Sequence, residues 1–324
     1  MTDPNPNSNP PDDERWAREV LSKLAFAAVT EQRRTRRWGI FFKLLFFAYL
    51  VVLLALAWPG HLVETATSSK RHTALVRISG LISSSTEANA KHVVEGLRKA
   101  FKDKNTAGVV VEINSPGGSP VQAGEIYDEI QRLRQQYPKI PVYAVANDVC
   151  ASGGYYVAAA AQKIYANKAS IIGSIGVRTD SFGFTDALAK LGIERRAYTA
   201  GANKDFLDPF LPAKPEDVRH LQGMLDAIHQ QFIAAVKQGR GERLKDNPQV
   251  FSGLMWTGEQ SVGLGLVDAL GGTRYVAEDV IGEKSIVDYT KRTRLVERLF
   301  DETEASLGAV LLKILGLDGT VQWR

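Results

Sequence analysis

At 324 residues, 44% of them hydrophobic and only one a cysteine, the chain can bury the core of one large domain and cannot rely on an intrachain disulfide. Its net charge of +4 is local: Arg33, Arg34, Arg36, Arg37 and Lys43 carry it, and the remaining 35 basic and 36 acidic residues nearly cancel. No nucleic-acid partner is expected, because that would need a basic face on the folded part.

Residues 1–37 read as a disordered, basic, cytoplasmic tail; the first fourteen, rich in Pro, Asn and Asp, hold almost nothing apolar to offset ordering entropy. Residues 38–58, WGIFFKLLFFAYLVVLLALAW, hold one charge, Lys43, and are flanked by Trp38 and Trp58. At about 1.5 Å per residue such a run spans a hydrocarbon core of roughly 30 Å, and it predicts one transmembrane helix. A cleaved signal peptide is the competing reading, since Ala55-Leu56-Ala57 has the small-x-small pattern of a cleavage site. The run is longer than a signal-peptide core, which favours an uncleaved anchor. The arginines before Trp38 put the N-terminus in the cytoplasm and everything after a 59–72 linker on the extracytoplasmic side.

Residues 73–290 alternate short apolar runs with amphipathic stretches. Strands are predicted at 73–80, 107–115, 141–148 and 163–168, and helices at 86–101, 121–137, 155–162 and 213–237. Repeated β-helix-β units imply an α/β fold with largely parallel strands. Residues 291–324 form a C-terminal region whose stretch 294–315 is amphipathic.

Chemistry concentrates in a few short runs. Ser152, in ASGGYY (151–156), follows a strand and opens a helix, and Lys204 lies downstream in TAGANKD (199–205). A serine hydroxyl needs a base to become a nucleophile, and a lysine amine kept neutral by burial can serve as one. INSPGGSP (113–120) lies at another strand-to-helix turn, where adjacent glycines let backbone N–H groups approach a carbonyl. Gly117 and Gly153 are the candidate oxyanion donors. Ser174, in GSIGV (173–177), is a candidate to orient the lysine amine, or simply a strand-end turn residue. Asp205 is assigned a structural or substrate-positioning role, because an ionised carboxylate beside a neutral base is unfavourable. Cys150 reads as a buried strand-end residue, with nucleophile as the alternative. The five histidines lie outside these runs and read as solvated or helix-face residues. No cofactor or metal is expected.

INSPGG, ASGGYY, GSIGV, AGANKD and WTGEQSVGLGLVDALGG (256–272) occur in the order found in the signal peptide peptidase A family, and the chain resembles its short, single-domain bacterial form over about residues 73–275. The resemblance implies a Clp protease/crotonase-like fold, a repeated β-β-α superhelix. It also implies Ser152 as nucleophile, Lys204 as general base, peptide substrates derived from signal peptides or membrane proteins, and a homo-oligomeric ring in which the lysine can come from a neighbour. Two other readings stay open: a crotonase-like acyl-transfer enzyme, which would use the oxyanion hole without the Ser-Lys pair, and a non-catalytic membrane-anchored scaffold.

Overall fold

The computed structural model describes residues 12–57 and 70–291, which belong to two separate units. Helix α1, Asp12–Ala57, is a single 46-residue helix. Among the described residues no helix is long and apolar enough to cross a membrane. Along α1 the side chains of Trp38, Phe41, Phe42, Leu45 and Phe46 stand exposed. The expected extreme N-terminal tail, most of the 59–72 linker and the amphipathic stretch 294–315 lie outside the described residues.

The second unit is an α/β domain. Its first elements are β1 (His72–Ser79), α2 (Ala90–Lys102), β2 (Thr106–Ser115), α3 (Pro120–Gln136) and β3 (Val142–Ala151). They continue as α4 (Gly153–Ala158), β4 (Lys163–Ala166) and β5 (Ile171–Gly173). A short helix α5 (Thr185–Lys190) and the long α6 (Pro215–Arg240) follow. The last elements are β6 (Met255–Thr257), α7 (Gly258–Gly263), β7 (Ala269–Leu270) and β8 (Ile286–Asp288). The strands form one sheet in the order β6-β5-β3-β2-β1-β8, with β4 on β3 and β7 on β4. Every pairing is parallel except β5 with β6.

Parallel strands joined by helical crossovers are covered on both faces, which is why β1 and β2 are buried almost continuously. Ala74, Val76, Ile78, Val109, Val111 and Ile113 point to the face covered by α2 and α3. Leu75, Val110 and Val145 point to the other, where Tyr165 and Val276 complete a smaller cluster. Helix α2 begins at Ala90, four residues later than its periodicity suggests, because Asn89 caps it by accepting the His92 N–H at 2.8 Å. Ser119 caps α3, with Pro120 in the first turn. The strand expected at 141–148 continues three residues further, to Ala151, and delivers Ser152 at its end.

Between α2 and α3, Glu129 is buried and accepts from Arg132 Nη2 at 2.6 Å and Arg98 Nε at 2.7 Å. These guanidinium bonds, that of Arg132 foremost, pull its carboxyl from the usual 4.5 down to about 2 despite burial. A depressed folded-state pKa stabilises above the unfolded value and is lost as pH falls through the folded one. Glu129→Gln is therefore expected to melt below the wild type at neutral pH. The gap should close as pH falls from about 4.5 to about 2, read as Tm against pH. A gap that persists to the acid end would show that the pair does not couple to folding.

Candidate active site

Ser152 stands at the junction of β3 and α4 with φ 52° and ψ −123°, a backbone conformation that costs a non-glycine residue about 1–3 kcal/mol. The surroundings hold it there: its N–H donates to the Gly173 carbonyl at 2.8 Å, and its own carbonyl accepts from the Tyr156 N–H at 2.9 Å. Its hydroxyl makes no capping bond to α4 and is left for other chemistry.

The glycine turn after β2 packs directly against this serine. Gly117 has φ 102°, and a Cβ there would fall 2.6 Å from both the Gly153 nitrogen and the Ser152 Cβ. Only hydrogen fits, and the close approach explains why the turn is glycine. Gly118 is as constrained from the other side, where a Cβ would lie 2.1 Å from the Ile82 carbonyl oxygen. The buried Gly117 N–H donates to Ser115 Oγ at 3.1 Å, so it is already occupied. The exposed Gly118 N–H has no acceptor among the described residues, and its nitrogen lies 3.3 Å from where a Cβ on Gly153 would sit. Gly153 is the first residue of α4, so its N–H has no partner within the helix.

Strand β5 brings Ser174 alongside. Ala151 pairs with Gly173 in parallel register, which sets Ser152 and Ser174 side by side at neighbouring strand ends. Ser174 also has φ 52°, and its N–H donates to the Leu254 carbonyl at 2.7 Å. One residue on, the Ile175 carbonyl meets His229 Nε2 at 3.1 Å. No hydrogen bond joins Ser152, Ser174 and His229 to one another among the described residues.

Lys204 lies elsewhere, in an exposed turn closed by its own N–H to the Gly201 carbonyl at 3.2 Å. Its side chain makes no hydrogen bond or ion pair with any described residue, and none links it to Ser152. The stretch leading to it is open to solvent: Phe182, Leu191 and Tyr198 are 76%, 72% and 90% exposed. Asp205 pairs not with Lys204 but with Lys214, whose Nζ lies 2.9 and 2.8 Å from its two carboxylate oxygens. The bond from Lys214 lowers the Asp205 pKa and keeps this carboxylate ionised within the loop.

The alternative nucleophile falls away. Cys150 is fully buried and desolvation pushes its thiol up to about 12, so it holds no useful thiolate. His72 is not the solvated histidine its sequence context suggests. It is buried at the start of β1, with Nε2 2.9 Å from Tyr289 Oη and Nδ1 3.1 Å from the Lys70 carbonyl. Tyr289 in turn donates to Asp103 at 2.7 Å. This cluster sits at the opposite end of the parallel strands from Ser152 and cannot reach it. Among the described residues no group of three His, Cys, Asp or Glu could hold a metal ion.

The profile of peptidase family S49 matches residues 134–286, and that of Clp protease matches residues 66–172. A protein of Enterococcus faecium provisionally named signal peptide peptidase SppA is 30% identical over 236 residues, 70% of this chain and 68% of that protein. A Synechocystis protein provisionally named a protease is 34% identical over 205 residues, 63% of this chain and 72% of that protein. The chain is also 49% identical over 188 residues, 58% of its own length, to a protein of Brucella abortus named Na(+)/H(+) antiporter NhaA. It spans about a quarter of the length of that protein and of its Brucella melitensis counterpart. With a serine-and-glycine site on a parallel α/β sheet and relatives covered over two thirds of their length, the chain belongs to peptidase family S49.

Proposed function

We propose that the protein is a membrane-anchored serine endopeptidase that hydrolyses apolar peptides, such as signal-peptide remnants, at the extracytoplasmic face. One observation carries the reading: Ser152 is held at a positive φ with its hydroxyl unengaged among the described residues, against two backbone N–H groups that find no acceptor there. Ser152 Oγ attacks the peptide carbonyl and its proton passes to Lys204 Nζ. The carbonyl oxygen takes the developing charge and is met by the N–H groups of Gly118 and Gly153, Gly118 serving in place of the engaged Gly117. Collapse breaks the C–N bond, the leaving amine takes the proton from Lys204, and water then releases the acyl group from Ser152. Ser174, beside Ser152, orients the amine.

The base is the part that one chain does not complete. Lys204 is exposed, and a lysine acting as a base needs a dry environment. A second copy seated on the apolar stretch around Phe182, Leu191 and Tyr198 would supply it, as in a head-to-tail ring. Residues 38–58 are the anchor, supported by their composition and by the exposed aromatic side chains of α1, with the N-terminus cytoplasmic.

The test compares cleavage of apolar signal-sequence peptides with that of charged soluble peptides by protein in detergent. A protease-accessibility measurement on intact spheroplasts accompanies it. Preference for the apolar set and digestion from outside are expected; preference for charged peptides, or protection until the membrane is breached, would overturn substrate class or topology respectively.

A further inference from the structure

Strands β2 and β3 do not stay in register to their ends. Ile113 pairs with Ala146, but Ser115 pairs with Cys150, so two steps on β2 span four on β3. The two surplus residues make a bulge at 147–149, immediately before the segment that carries Ser152. Without it, the Ile113–Ala146 register would run on to set Gly117 opposite Cys150. With it, Gly117 comes opposite Ser152, where the close packing of their atoms is observed. At about 3.3 Å per residue, the bulge moves Ser152 by roughly 7 Å along β2. An even number of surplus residues also keeps each side chain on its proper face.

This bulge is held by side chains, because the strand ladder cannot hold it. The Asn114 carbonyl is engaged on the β1 side by the Gly80 N–H at 2.9 Å. Its side chain turns to β3, where Oδ1 accepts the Val149 N–H at 3.2 Å and Nδ2 donates to Asp148 Oδ2 at 2.9 Å. From the other flank, the buried Ser170 hydroxyl bonds the Asn147 carbonyl and lies 3.2 Å from that of Ala146. Asn114 thus grips the last two residues of the bulge from the strand that leads into the glycine turn.

We infer that Asn114 is a positioning residue which, through Asp148 and Val149, locks the register that sets Ser152 against the Gly117–Gly118 turn. The inference rests on the proposed roles of Ser152 and of the Gly118 and Gly153 N–H groups. It assigns Asn114 no contact with substrate; Asn114 acts through the spacing of nucleophile and oxyanion donors, where a displacement of about 1 Å can cost a hundredfold in rate.

A charge exchange tests it. Asn114→Asp keeps an acceptor for the Val149 N–H but sets a carboxylate against that of Asp148, and should lower kcat on an apolar peptide by roughly 10- to 100-fold with KM within about threefold. Asp148→Asn added to it restores a donor-acceptor pair with the partners reversed, and should return kcat to within about threefold of the wild type. Mere loss of packing would not be mended by a second substitution on an exposed residue. Should Asn114→Asp fail to fold, Asp148→Ala removes only the exposed half of the grip and should lower kcat in the same sense. An unchanged kcat in folded Asn114→Asp or Asp148→Ala protein, or no recovery in the double variant, would overturn the inference. Ser152→Ala is assayed in parallel: hydrolysis surviving there would overturn the reading of Ser152 itself, whereas its loss there alone would count against the register lock only.

Discussion

Replacing Ser152 by alanine is expected to lower peptide hydrolysis by about a thousandfold or more while leaving Tm within a degree or two, because one oxygen is lost and the strained backbone is retained. A fluorophosphonate probe should label the wild type and not the variant. Ser152→Gly should be equally inactive yet more stable. Its φ of 52° suits glycine, and relief of the strain, less the added entropy of an unfolded glycine, leaves about 1 kcal/mol, or roughly 2–4 °C in Tm for a domain of this size. Inactive Ser152→Ala with a melting point equal to that of Ser152→Gly would mean that the backbone is not strained. Labelled or active Ser152→Ala protein would remove the serine from the chemistry.

Lys204→Ala should be as inactive as Ser152→Ala, although among the described residues its exposed side chain makes no hydrogen bond or ion pair whose loss could unfold the chain. The informative experiment mixes the two inactive proteins, dissociates them and lets them reassemble. If each site pairs the serine of one copy with the lysine of the next, random mixing leaves both residues intact at about a quarter of the sites, and about a quarter of wild-type activity returns. A dyad within one chain predicts none, because every copy then carries one lesion. Assembly monitored by size-exclusion chromatography separates an inactive ring from a failure to reassemble.

The parallel α/β frame was legible because buried strands such as VVVEI and VYAVA are apolar runs ended by turn residues, a pattern that burial on both faces imposes. The nearness of the two glycine runs was legible too, since both lie at strand ends followed by helices. The two-residue bulge was not: Asn147 and Asp148 look like the polar end of a strand, and only pairing with β2 shows them to be surplus. For the same reason the sequence points to Gly117 as a donor and does not show that the buried Ser115 hydroxyl already engages its N–H, the contact for which Gly118 is proposed in its place. The burial of His72 was not legible, because a lone histidine beside Lys70 and Arg71 looks solvated; its partners lie 31 or more residues away, Asp103 just after α2 and Tyr289 brought in when β8 pairs with β1. Strands β7 and β8, two and three residues long, are too short for any periodicity to announce.

The chain joins the domain at β1 and leaves it after β8, two adjacent strands at one margin of the sheet, while Ser152 and Ser174 stand at the ends of β3 and β5 toward the other. The His72–Tyr289–Asp103 cluster ties that margin together. A domain whose two ends are neighbours, and whose site faces elsewhere, can be spliced into or appended to another polypeptide without rebuilding either. Such a cartridge can therefore change its tether or its host chain while its chemistry stays as it was, and a match that occupies a quarter of a much longer Brucella protein is the kind of arrangement this geometry permits.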